Sequence, residues 1–253
     1  MFDDPIHYII FKGEEFTFDI QKTDRFDAIL DKIESAEDGP GVVVTTGTSS
    51  KVYSTGFDLN FWAEAPLNPI LSISRLQQSF ARFTCFPLPT LAVMNGHSYA
   101  GGMIFSMCHD FRTMKAEKTR LCLSEANLGA AITEGFTQIC LSVMGQKLYT
   151  RLQYGEAITA KEAHKLKIVD NLFNTTEEAE KQIAEFTAKY AQCGVQKAVT
   201  AENKSKINAK ILEACNGRTM NYGEKMRFIN NQDNVKKFVA SVEKAKNDRR
   251  AKL

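Results

Sequence analysis

No apolar run in this 253-residue sequence approaches the roughly 20 residues needed to cross a bilayer, so no membrane span is expected. Net charge is only +2, too little to demand nucleic acid or an anionic surface as a partner. The six cysteines, Cys85, Cys108, Cys122, Cys140, Cys193 and Cys215, form no C-x-x-C pair, and no histidine stands at zinc-ligand spacing from them. They therefore read as reduced thiols of an intracellular protein, with no metal site. The acidic start, Met1-Phe2-Asp3-Asp4-Pro5, lacks the basic beginning and apolar stretch of a secretory signal. There is no internal repeat, low-complexity segment or clear linker, and no proline after Thr175, where the pattern turns almost wholly helical.

What is present suits one sizeable core with a helical appendage: 43% of residues are hydrophobic and 25% charged. We divide the chain into a core of residues 1–195 and a helical region of residues 196–253. From Ala201 to Leu253 there are 13 Lys/Arg against 6 Asp/Glu. With no aromatic residues interleaved as a stacking platform, this reads as a solvated helical face, and no nucleic-acid partner is expected. The final Ala251-Lys252-Leu253, after Arg249-Arg250, has the small-basic-leucine pattern of the peroxisomal address S-K-L. A peroxisomal location, with the import receptor as a partner, is the expectation.

Ile6 to Phe11 and Glu15 to Ile20 have the content of a pair of strands turning near Gly13. Phe26, Ile29, Leu30 and Ile33 recur at helical spacing within Thr23 to Ala36, with Thr23 as the expected cap. Val42 to Thr46 reads as a buried strand, Ile70 to Phe83 as a helix, Leu88 to Met94 as a strand, and Ala100 to Met107 as a helix. This alternation predicts a mixed α/β fold. Two strand-to-loop junctions, Ser54 to Leu59 and Asn95 to Gly102, carry glycines that allow close backbone approach, so their N–H groups can be offered to developing negative charge.

Several short segments in order carry a resemblance. Leu88-Pro89-Thr90-Leu91-Ala92-Val93-Met94-Asn95-Gly96-His97 leads to Ala100-Gly101-Gly102 and then Cys108-His109-Asp110-Phe111-Arg112. Upstream stands Tyr53-Ser54-Thr55-Gly56-Phe57-Asp58-Leu59, and downstream Ser124-Glu125-Ala126-Asn127-Leu128-Gly129. Together with Ile158 to Ala163 and Ile168-Val169-Asp170, they resemble the crotonase (enoyl-CoA hydratase/isomerase) family from about Gly41 to Asp170. The resemblance implies a spiral of β-β-α units with a C-terminal helical trimerisation region, assembled as a homotrimer or hexamer. It implies an acyl-CoA thioester as substrate, with coenzyme A part of that substrate and no separate cofactor. It also implies an oxyanion hole from the amides of Phe57 and Gly101, with Thr55, Gly56, Asp58 and Leu59 around the substrate.

Acid/base residues decide the reaction within such a family. Hydratases of this type place a glutamate six residues before the position of Asp110; here that residue is Ile104. An aliphatic side chain there favours moving a proton between carbons over adding water. Two carboxylates remain. Glu125 matches the second hydratase glutamate, and Glu134, within Ile132-Thr133-Glu134-Gly135, resembles the catalytic position of peroxisomal Δ3-Δ2-enoyl-CoA isomerases. The resemblance thus implies an enoyl-CoA delta isomerase of fatty acid β-oxidation with Glu134 as the acid/base and Glu125 sharing or orienting. A dienoyl-CoA isomerase, a hydratase and a non-catalytic acyl-CoA or RNA-binding relative are the alternatives.

Overall fold

Short β-branched runs alternate with helices along the chain. In the computed structural model, which describes residues 5–216, 220 and 222–250, these runs build two interleaved sheets and a separate two-stranded pair. The first half contains β1 (Ile6–Phe11), β2 (Thr17–Phe18), α1 (Ile20–Glu34), β3 (Val42–Gly47), β4 (Val52–Ser54), β5 (Gly56–Phe57), α2 (Leu59–Glu64) and α3 (Asn68–Thr84). Then follow β6 (Thr90–Met94), β7 (His97–Tyr99), α4 (Gly101–Met107), β8 (Phe111–Lys115), β9 (Arg120–Cys122), α5 (Glu134–Leu152), β10 (Ala157–Thr159), α6 (Ala160–Lys165) and β11 (Asn171–Phe173). The described chain closes with α7 (Thr176–Tyr190), α8 (Lys197–Ile207), α9 (Ala209–Asn216), α10 (Tyr222–Asn230) and α11 (Gln232–Arg250). Met1 to Asp4 and the Ala251-Lys252-Leu253 tripeptide lie outside the described residues.

The larger sheet has the order β1-β3-β6-β8-β11, parallel throughout, and the smaller has β10-β9-β7-β4. Consecutive strands are dealt alternately to the two: β3 then β4, β6 then β7, β8 then β9. Each turn ends in helix, which makes the spiral of β-β-α units. Asn95 fastens the corner where β3 leaves for the smaller sheet, donating to the carbonyls of Gly47 (2.7 Å) and Ser49 (2.5 Å).

The central strands are buried on both faces, as parallel strands covered by helices should be. Period-two alternation sorts their side chains. Val42, Val44, Leu91 and Val93 face α7 through Ile183 and Phe186, whereas Val43 and Ala92 join a core rich in aromatic rings, including Phe11, Phe18, Phe26, Phe80, Phe83 and Phe105. His109 lies within that core, its Nε2 2.8 Å from Thr45 Oγ1, which is 2.6 Å from Tyr53 OH. Burial lowers its pKa to about 3, so it is a neutral, structural imidazole.

Two lysines lash the helical region to this core. Lys197 Nζ donates to the carbonyls of Ile33, Ala36 and Glu37, just where α1 ends, at 3.2, 2.6 and 3.3 Å. Lys204 Nζ meets Asp110 at 2.5 Å and Leu88 O at 2.8 Å, and Asp110 also accepts from Thr90 N and Oγ1.

Two expectations are corrected. β1 and β2 do not pair with each other: β1 joins β3 in the larger sheet, and β2 joins β5. Helix α1 begins at Ile20, not Thr23, because Asp19 accepts from Lys22 N at 2.7 Å and caps it.

Candidate functional site

The spiral sets the β4–β5 corner beside the entrance to α4. At Gly56 the backbone has φ +86°, a left-handed conformation that glycine adopts without strain. A Cβ there would lie 2.5 Å from the Gly101 amide nitrogen, so the two segments touch backbone to backbone. The Asp58 amide donates to Phe18 O at 2.8 Å. The Thr55 amide likewise donates to Phe16 O at 3.1 Å, so Gly56 and Phe57 are held between two anchors on the β2 segment. Gly101 opens α4, and its N–H has no partner within the helix. Just before it, Ala100 is held at φ 49° and ψ −129°, strained for an alanine. Bonds from Ala100 N to Cys122 O (2.8 Å) and from Ile104 N to Ala100 O (3.1 Å) hold it there.

A cavity of about 420 Å³ opens against this junction. Thr55, Phe57, Asp58 and Leu59 line it directly; Gly56 and Gly101 are buried immediately behind the lining, which Ala100 represents on the α4 side. Asp58 is fully engaged in local structure. Its Oδ1 accepts from the amides of Asn60 (3.0 Å) and Phe61 (3.2 Å), capping α2, and its Oδ2 accepts from Thr17 Oγ1 at 3.3 Å with Lys22 at 3.6 Å. This explains an aspartate at that position without contact to a ligand.

Glu125 is the first residue of a short 3-10 helix, Glu125–Leu128, and lines the cavity. Both of its carboxyl oxygens are buried and neither has a hydrogen-bond partner; its own amide gives a small opposing pull without reaching hydrogen-bond geometry. Burial pushes its pKa up to about 7. The ionisable groups beside it, Cys122, Cys140 and Tyr149, are themselves shifted upward, chiefly by burial, and bring no positive charge. The other carboxylates of the lining differ: Glu15 and Glu243 are exposed, and Asp58 is the α2 cap.

Glu134 lies elsewhere. It is exposed at the first position of α5, behind the Thr133 N-cap, and is not part of the lining. Ile104 is 1% exposed in the aromatic core on α4. His97 packs flat on Tyr99, with ring centroids 5.0 Å apart, and its Nδ1 lies 3.1 Å from both Tyr99 OH and Arg120 N. Burial and Arg120 lower its pKa.

Trp62, Tyr99, Phe238, Val239 and Val242 are lining residues that the sequence did not single out. The helical spacing of Val235, Phe238, Val239 and Val242 marks an amphipathic α11, but nothing local in it says that the apolar stripe covers a cavity bounded by α2.

This architecture and site have clear relatives. Enoyl-CoA delta isomerase 3 of Arabidopsis thaliana is 30% identical over 150 residues, covering 57% of this chain and 63% of the relative. Peroxisomal enoyl-CoA delta isomerase 2 of the same plant is 30% identical over 160 residues, 60% of this chain and 66% of the relative. Each match thus spans less than two thirds of the relative's length. Among solved structures, an enoyl-CoA hydratase from Bacillus halodurans superposes with a TM-score of 0.75 over 95% of this chain and 98% of its own, at 15% identity, a likeness of fold. The family profile for enoyl-CoA hydratase/isomerase matches residues 17–250, and the chain belongs to that family.

Proposed function

We propose that the protein is an enoyl-CoA delta isomerase that converts a 3-enoyl-CoA to the conjugated 2-enoyl-CoA in fatty acid β-oxidation. The carrying observation is the Glu125 carboxyl, buried in the cavity with both oxygens unpartnered and a pKa raised to about 7. A carboxyl tuned to neutral pH exchanges a proton in both directions with little driving-force penalty. In this reading Glu125 takes the proton from C2 as the bond electrons move onto the thioester oxygen. The amides of Phe57 and Gly101 hold the resulting enolate, each such donor contributing about 3 to 4 kcal/mol in the transition state. Glu125 then returns the proton at C4, the electrons fall back, and the double bond ends between C2 and C3. The backbone contact between Gly56 and Gly101, which brings the two amide-bearing segments together, supports the pairing of donors.

The geometry favours Glu125 over Glu134 as the acid/base, because Glu134 is exposed outside the cavity. The mechanism calls on no metal or redox cofactor, and coenzyme A is part of the substrate. Peroxisomal location is supported by the peroxisomal relative in Arabidopsis thaliana. Following conversion of 3-hexenoyl-CoA spectroscopically, with hydration monitored in parallel, tests the reaction. Glu125→Gln should lower kcat by about 10²- to 10⁴-fold while acyl-CoA binding persists. Glu134→Gln, a surface change, should stay within about twofold. For the unaltered enzyme, kcat should fall as pH drops below about 7, where Glu125 becomes protonated and can no longer accept the C2 proton. Near-normal turnover by Glu125→Gln, or a hydrated main product, sinks this reading.

A further inference from the structure

The cavity lining falls into two unlike groups of residues. In one, Glu15, Thr17, Thr55 and Asp58 gather because β2 pairs with β5, setting Thr17 opposite Gly56. In the other, Trp62, Leu128, Ala130, Phe238 and Val239 make an apolar lining. The turn from α10 into α11 is fastened to that second group by two hydrogen bonds. Asn231 Nδ2 donates to Leu128 O and Gln232 Nε2 to Trp62 O, both at 2.8 Å. Trp62 is 4% exposed, with Phe57 at 4.8 Å on one side and Phe228 of α10 at 6.0 Å on the other. Behind Phe57 the rings continue through Phe136 (6.1 Å) and Phe80 (5.7 Å) into the core, so Trp62 cannot yield without disturbing a packed stack. On the far side of Ala130 lies a separate space of about 60 Å³, walled partly by Phe228 and Asn231.

Resting on the acyl-thioester reading above, we propose that this fastened corner makes the apolar part of the lining a dead end, and that Trp62 and Asn231 restrict the enzyme to short-chain 3-enoyl thioesters. The amide-bearing arm of coenzyme A suits the polar part, which directs the acyl chain toward Trp62. About 420 Å³ must hold the thioester, the neighbouring part of that arm and the acyl group together. A chain reaching past Trp62 has either to force the aromatic stack apart or to fold back into water.

The test compares kcat/KM for 3-hexenoyl-CoA and 3-dodecenoyl-CoA, together with Kd for the saturated hexanoyl and dodecanoyl thioesters below their micellar concentrations. The short chain should lead by at least about tenfold in both measurements. Trp62→Ala should erode that lead by about tenfold by lengthening the compartment. Asn231→Ala, which removes one fastening and opens the way to the space behind Ala130, should move it in the same direction. Equal use of both chains by the unaltered protein overturns the inference, as does a preference unmoved in both folded variants. Tenfold tighter binding of hexanoyl-CoA without isomerisation keeps the dead end and removes the isomerase reading. Isomerisation of both chains alike does the reverse. A protein that binds neither thioester overturns both.

Discussion

Ionising Glu125 inside the folded chain means charging a carboxyl that water no longer reaches and no donor meets. The unfolded chain ionises this group near the ordinary 4.5, the folded chain near 7. Its contribution to stability is therefore whole below pH 4.5 and is lost as pH rises through 7. Glu125→Gln, neutral at every pH, should be more stable than the parent at pH 8 by as much as about 3 kcal/mol. The gap should close toward pH 4.5 in paired denaturant titrations, and a gap of equal size at both pH values would refute the burial argument. The two carboxylates stand in recognisable segments of the sequence, yet their ranking is not legible there. Whether a glutamate at a helix start is wet or buried depends on what packs over it, and the loop after β9 turns Glu125 inward while α5 presents Glu134 to solvent. The close backbone approach of Gly56 to Gly101 is legible through glycine, because such an approach has few other solutions.

Elements buried on regular periods are the ones the sequence reveals. The run Val42 to Thr46 and the stripe through Ile70 to Phe83 fall within β3 and α3. Local competition is harder to read: Asp19 and Thr23 are both capping residue types, and Asp19 wins while Thr23 Oγ1 donates back to Asp19 O at 2.7 Å. Pairing between β1 and β2 fails for a different reason, since tertiary partners outcompete a neighbour in sequence. The join between α8 and the sheet is likewise invisible in sequence, because Lys204 meets Asp110 and Leu88 O across long sequence separations. Lys204→Met leaves Asp110 with only Thr90 and should cost about 1.5 to 3 kcal/mol in denaturant titration. A loss under about 0.5 kcal/mol, the usual range for a surface change, would show that Lys197 and apolar packing hold α8 in place without the Lys204 pair.

At the scale of the molecule, the order of the short resembling segments indicated the spiral that the strands build. The assembly is less legible, and we propose a homotrimer or hexamer, as the family resemblance implies. The helical region leaves Val199 and Ile207 of α8 exposed at 50% and 82%, apolar side chains available for contact between copies. Sedimentation equilibrium should give a multiple of three chains, and Ile207→Glu should lower that mass; a monomeric parent protein ends the proposal. The position of Asn231 and Gln232 also bears on biosynthesis. Emerging in order from the ribosome, the chain exposes the rings of Phe57 and Trp62 long before α10 and α11 exist to cover them. Until α10 and α11 have emerged the Trp62 surface stands uncovered by them, which makes the nascent polypeptide a natural client for chaperones that shield sticky intermediates.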